Sequence, residues 1–98
     1  IMETDALTLD EILRTVDVLV EAGSDFVKTS TGFYTGGPTK GADIELIAKI
    51  IERVDGRCKV KGSGNIRTRE HFLTLIDMGV DRMGIGYRST PVVLGLPL

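Results

Sequence analysis

The chain has one cysteine, one histidine, no tryptophan and three prolines among 98 residues. A single cysteine, Cys58, excludes an internal disulfide and suits a reducing, cytoplasmic setting. With one Cys and one His (His71), a Cys/His zinc site is excluded. No run approaches the ~20 apolar residues needed to span a bilayer. The first residues carry acids rather than a basic stretch followed by an apolar one, so no secretory leader is expected. Neither sign of charge is in excess: 12 Lys+Arg stand against 14 Asp+Glu, a net charge of −2, with no basic cluster. That argues against a nucleic-acid partner, which requires many phosphate-neutralising cations.

What is present is an ordinary globular composition, 42% hydrophobic and 27% charged. Ninety-eight residues suit one small domain with a modest core, and no linker, composition shift or low-complexity stretch divides residues 1–98. The chain opens at Ile1 and reads at once as a strand (residues 1–4), which suggests a piece cut from a longer chain. Thr8 and Glu11 form a capping-box signal. Ile12, Val16, Leu19 and Val20 then repeat at helical spacing, and Gly23 stops that helix. Residues 25–30 read as a strand and 31–41, with Pro38, as a Gly/Thr-rich loop. A helix over 42–54 carries the stripe Ile44, Ile47, Ala48 and Ile51 and ends at Gly56. Residues 58–61 form the next strand and 62–67 a tight loop. Thr68 caps a third helix whose expected buried face is Phe72, Leu73 and Ile76, stopped by Gly79. Residues 81–85 are a last strand, and Ser89-Thr90-Pro91 reads as a helix start with Pro at its first position. Strands alternating with helices of ~11–15 residues imply an α/β fold of βα units on a parallel sheet.

Two segments stand out: Val27-Lys28-Thr29-Ser30-Thr31-Gly32 and, 33 positions later, Val60-Lys61-Gly62-Ser63-Gly64-Asn65. Each sets a lysine at a strand end, just before a loop of small residues. In α/β folds chemistry gathers at the carboxyl ends of the strands. An unperturbed lysine (pKa ~10.4) is protonated at neutral pH and is no nucleophile. A second cation close by favours the neutral amine, which can add to a carbonyl and form a Schiff base. The competing reading is ordinary: each lysine is a surface cation with its stem along apolar surface. Gly32, Gly64 and Gly86 follow three successive strands, where backbone N–H groups can approach an anion, and Arg67 and Arg88 lie in or beside these loops. Read plainly, these glycines only make tight βα turns.

Nearly the whole chain, in order, resembles deoxyribose-phosphate aldolase. The resemblance rests on Ile1-Met2-Glu3-Thr4, on residues 21–33 around the first lysine, on Val60-Lys61-Gly62-Ser63-Gly64-Asn65-Ile66-Arg67-Thr68 and on Gly79-Val80-Asp81-Arg82-Met83-Gly84-Ile85-Gly86. It implies the second half of a (β/α)₈ TIM barrel, strands five to eight, as four βα units. It also implies that Lys28 is the Schiff-base lysine and Lys61 the second lysine, which lowers the amine pKa and helps move protons. Thr31 and Gly32 would line the substrate and phosphate site, Gly64, Asn65 and Arg67 the next phosphate loop, and Gly84 and Gly86 the last. The implied reaction, in carbohydrate catabolism, cleaves 2-deoxyribose 5-phosphate reversibly to glyceraldehyde 3-phosphate and acetaldehyde without a cofactor. The chain departs from the family pattern at Asn65, where a second glycine is usual, and at Gly86-Tyr87-Arg88, where serines are usual. Strands one to four, which would bring a catalytic aspartate, have no counterpart.

Four βα units cannot close an eight-stranded barrel, and an open sheet leaves edges unpaired. Three arrangements remain open from sequence: part of a longer enzyme, a two-chain barrel, or a flavodoxin-like sandwich without the site. The expected partners are a phosphorylated sugar or aldehyde and another chain or copy that completes the barrel. The alternative function is an inactive phosphate-binding half-barrel that self-associates.

Overall fold

The structure is a computed structural model and describes residues 1–34, 36–37 and 40–97. Pro38, assigned to a loop from sequence, lies outside the described residues.

Helix α1 (Leu9–Glu21) starts as its sequence dictates. The Thr8 N–H donates to Glu11 Oε1 at 2.9 Å and Thr8 Oγ1 accepts from the Glu11 N–H at 3.3 Å, so two helix-end donors are satisfied. The helix ends in a Schellman motif: Gly23, at φ 83°, donates to the Val20 carbonyl and Ser24 to that of Leu19. Strand β1 (Phe26–Lys28) is followed by α2 (Ile44–Val54), β2 (Lys59–Ser63), α3 (Arg69–Met78), β3 (Arg82–Gly84) and α4 (Thr90–Leu94).

The strands form one parallel sheet in the order β1-β2-β3. Parallel neighbours in chain order, joined by helices, wind in one direction. Accordingly α1 packs on α2, α2 on α3, and α3 on α4, forming a single row of helices. This is the layering of a barrel wall, not of a flavodoxin-like sandwich with helices on both faces. Val27 and Val60 point into the helix layer and are buried with Ile12, Ile47, Ile50 and Leu75. A Cβ built on Gly62 would lie 3.4 Å from Ala42 Cβ and 3.8 Å from Ile47 Cδ1, so this glycine lets α2 lie close on the sheet. On the surface Arg53 forks onto Asp17, tying α2 to α1 through Nε–Oδ1 at 2.8 Å and Nη2–Oδ2 at 2.6 Å. The two hydrogen bonds, Arg53's first among the causes, hold the Asp17 carboxyl below its ordinary range.

Several sequence expectations are corrected. Residues 1–4 run beside β1, with Met2 N–H donating to the Lys28 carbonyl (3.0 Å) and Thr4 N–H to that of Thr29 (2.9 Å). They form no ladder strand among the described residues, because Glu3 turns left-handed (φ 60°, ψ 60°) and Thr4–Ala6 closes a 3₁₀ turn. Residues 62–63, expected in a loop, continue β2. Helix α2 begins at Ile44 rather than Ala42, with the Asp43 carboxylate accepting the Leu46 N–H as its N-cap. The buried stripe of α2 is Leu46, Ile47, Ile50 and Val54, while Ile44 and Ala48 are exposed. On α3 only Leu75 is fully buried, with Phe72 half-buried; Leu73 and Ile76 face outward. In both helices the apolar residues are more numerous than one face holds, so periodicity alone admits a frame rotated by one position. Pro91 is the second residue of α4 rather than the first.

Candidate active site

The two lysines that the sequence singles out are direct partners across the sheet: Phe26 pairs with Lys59, Val27 with Val60 and Lys28 with Lys61. Lys61 pairs in turn with Arg82 of β3. Neighbouring strands lie about 4.8 Å apart and alternate residues share a face. Lys28, Lys61 and Arg82 therefore form one row across three strands, on the face turned away from the helices. Lys59 lies on the same face, where its Nζ sits 5.7 Å from the centroid of the Phe26 ring, and Arg82 Cζ lies 4.7 Å from that centroid. Two cations thus cover the Phe26 ring. Lys28 and Lys61 are both half-buried.

The register that aligns the lysines is locked by the residues after Lys28. Thr29 Oγ1 donates to the Ser63 carbonyl at 2.7 Å and accepts from the Ser63 N–H at 3.0 Å. Ser30 Oγ donates to the same carbonyl at 2.7 Å. Both hydroxyl residues are buried. The Thr-Ser pair therefore laces the carboxyl ends of the two lysine strands, a role the sequence reading missed. Thr29→Val keeps the shape but strands the Ser63 N–H, and is expected to cost about 1–3 kcal/mol. Chemical denaturation checks this: the midpoint falls while the slope is unchanged.

Beyond the strand ends the loops close a cleft of about 280 Å³ lined by Thr31, Gly32, Gly64, Asn65, Gly84 and Gly86. Six of the seven expected binding residues are thus brought together. The seventh, Arg67, lines an adjoining cleft that shares Gly32, Gly64 and Asn65 with the first and adds Asp5, Ser30 and Lys40. Asn65 takes the left-handed conformation, φ 58°, one of the few non-glycine residues suited to it. Gly84 has a steric reason to lack a side chain: a Cβ there would lie 2.8 Å from Ser63 Oγ and 3.6 Å from Lys61 Cε. Arg88 turns onto its neighbour instead of into the cleft, its Nε donating to Tyr87 Oη at 2.9 Å.

Thr31 of the cleft is held by a carboxylate for which the sequence reading had no role. Glu3 Oε1 accepts the Thr31 N–H at 3.1 Å and Glu3 Oε2 accepts the Thr31 hydroxyl at 2.7 Å. These two bonds, and after them the charge of Lys28, hold the Glu3 carboxyl below its ordinary value of 4.5. The only sequence signal was an acid set among strand-like residues, Ile1-Met2-Glu3-Thr4. His71 entered the sequence reading only in excluding a Cys/His zinc site. Its Nε2–H donates to the Ala42 carbonyl at 2.7 Å, tying α3 to the start of α2.

A further concavity, about 570 Å³, lies at the opposite ends of the strands, around Asp25, Cys58 and Gly79. Burial pushes the Cys58 thiol up, away from the reactive thiolate. Among the described residues no three His, Cys, Asp or Glu side chains gather as a metal site, and no helix is long and apolar enough to cross a membrane.

A parallel sheet in chain order, one layer of helices and a loop-built cleft at the carboxyl ends of the strands define a partial (β/α)₈ barrel. The chain is homologous to deoxyribose-phosphate aldolase, the family its motifs resemble. It is 44% identical to the enzyme of that name from Aquifex aeolicus over 84 residues, which is 86% of this chain and 36% of that protein. It is 48% identical to the one from Bacillus cytotoxicus over 94 residues, 96% of this chain and 40% of that protein. Among solved structures it superposes on the tetrameric deoxyribose phosphate aldolase of Aeropyrum pernix with a TM-score of 0.75, at 29% identity over 95% of this chain and 38% of the other. A further aldolase structure matches at 44% identity and a TM-score of 0.73, covering 84% of this chain and 35% of the other. The chain thus spans between a third and two fifths of the length of these relatives. No protein-family model matches it.

Proposed function

We propose that this chain carries the lysine-bearing part of a Schiff-base aldolase that cleaves 2-deoxyribose 5-phosphate to glyceraldehyde 3-phosphate and acetaldehyde. The observation that carries the reading is the register pairing of Lys28 with Lys61 where β1 ends.

In the proposed reaction the neutral Lys28 amine adds to the aldehyde carbon of the open-chain sugar, and water leaves to give an iminium. The bond between the second and third carbons then breaks. Its electron pair flows into the iminium to form an enamine, while the third carbon's hydroxyl loses its proton and becomes the aldehyde of glyceraldehyde 3-phosphate. The enamine regains a proton at the second carbon, and hydrolysis releases acetaldehyde and the free amine. Lys61, beside Lys28 in the register, is the proposed carrier of these protons. Backbone N–H groups of the Gly32, Gly64-Asn65 and Gly86 loops, with Arg67, are the proposed phosphate cradle, since such loops concentrate donors for an anion. A second chain or copy is proposed to complete the barrel, because three strands leave the cationic sheet face open. The proposed setting is the cytosol.

A cleavage assay run alongside native mass spectrometry tests the reading. The chain, in its associated form, is expected to release glyceraldehyde 3-phosphate from 2-deoxyribose 5-phosphate. Sugar-phosphate binding or self-association with no aldehyde released would reject it in favour of a phosphate-binding module. A strict monomer would reject the two-chain barrel.

A further inference from the structure

Glu3 is fixed from both sides and bent in the middle. Its neighbours Met2 and Thr4 donate to the Lys28 and Thr29 carbonyls at 3.0 and 2.9 Å. Glu3 itself takes φ 60°, ψ 60°, a left-handed conformation that costs a non-glycine residue roughly 1–2 kcal/mol. Strain of this kind persists where the surroundings over-determine it, and it clusters at functional sites. Here the strain aims the carboxylate past the end of β1, where it takes both donors of Thr31, the N–H and the hydroxyl. Thr31 Oγ1 in turn accepts the Phe33 N–H at 3.2 Å, so the grip extends into the loop after Thr31. The carboxylate also lies within electrostatic reach of Lys28, three residues before Thr31.

We propose that Glu3 is a positioning residue: through its two-pronged hold on Thr31 it fixes the cleft wall against Lys28, and so sets the rate of imine formation there. The role rests on the Schiff-base reading above. Other anchoring of that loop would act from the chain side, whereas Glu3 acts from a different segment and through one residue.

The test compares rates of borohydride-trapped acetaldehyde adduct on Lys28 in the native chain, Glu3→Gln, Thr31→Val, Thr31→Ser and the double variant Glu3→Gln/Thr31→Val. Glutamine leaves one acceptor for two donors, and valine removes the hydroxyl donor. Each of these two is expected to slow trapping about tenfold, Thr31→Ser to restore the native rate, and the double variant to be no slower than either single change, since both break one contact. The Thr31 amide proton gives a readout independent of the adduct. Glu3 is ionised above its lowered folded value, so its hold on Thr31 is complete at neutral pH and is lost as the pH falls through that value. The amide resonance is expected to move with an inflection below 4.5, absent in Glu3→Gln. Native trapping rates in Glu3→Gln, or slowing that Thr31→Ser does not relieve, overturn the positioning role alone. No adduct in the native chain overturns the Schiff-base reading and this role with it.

Discussion

Replacing Lys28 with leucine is expected to abolish aldol cleavage, with a loss of at least about a thousandfold, because no other group then forms the covalent intermediate. Leucine suits a half-buried position on β1, and its backbone bonds to β2 are unchanged, so the loss would be chemical rather than structural. Melting temperature measured on the same sample checks that point and should hold or rise. Lys61→Leu gives the informative contrast. It leaves the nucleophile in place, so trapping of acetaldehyde on Lys28 is expected to persist at a reduced rate while cleavage falls by about 10²–10⁴, the range for a lost proton carrier. Equal loss of trapping in both variants would mean that Lys61 and not Lys28 can be the nucleophile, or that neither works alone.

The second large effect is on stability. Gly41 sits at φ 56°, and a Cβ there would lie 2.3 Å from the Gly64 carbonyl oxygen and 2.8 Å from its Cα. Backbone atoms cannot swing aside as a long side chain can. That carbonyl is also held in place, since it accepts the Ala42 N–H at 2.9 Å. Gly41→Ala therefore combines left-handed strain with overpacking, together roughly 2–4 kcal/mol. In a domain of this size each kcal/mol is worth about 4–8 °C, so the melting temperature should fall by about 10–25 °C. Because Gly41 braces the loop of Gly64 and Asn65, sugar-phosphate affinity should fall with it. Gly36→Ala, where no atom lies within 4 Å of the added carbon, is the matched control and should change little.

The fold and the site were legible in different ways. The Thr8/Glu11 capping box, Gly23 and Gly79 wrote the helix ends into the sequence, because capping is local chemistry set by a few adjacent residues. The strands Phe26–Lys28 and Arg82–Gly84 were found but drawn too long, since single backbone bonds beside the ladder, Lys59 N–H to the Asp25 carbonyl and Asp81 N–H to that of Val60, do not extend it. The buried faces of α2 and α3 were misread because Ile44, Leu73 and Ile76 are apolar yet face outward. The lysine pair was visible as a repeat, whereas its register was not. Register depends on Thr29 and Ser30 bonding to Ser63, more than 30 residues away, and no local pattern encodes such a contact. Glu3 was hidden for the same reason: its partner, Thr31, is 28 residues further along the chain.

The central claim is that one lysine at the end of β1 is the nucleophile, and the most direct measurement asks which amine is modified. The chain is reduced with borohydride in the presence of acetaldehyde, digested, and its lysine-containing peptides are read by tandem mass spectrometry. A single reduced adduct on Lys28 is expected, with Lys40, Lys49, Lys59 and Lys61 unmodified. An adduct spread over the other lysines, or concentrated on Lys61, would contradict the assignment of Lys28.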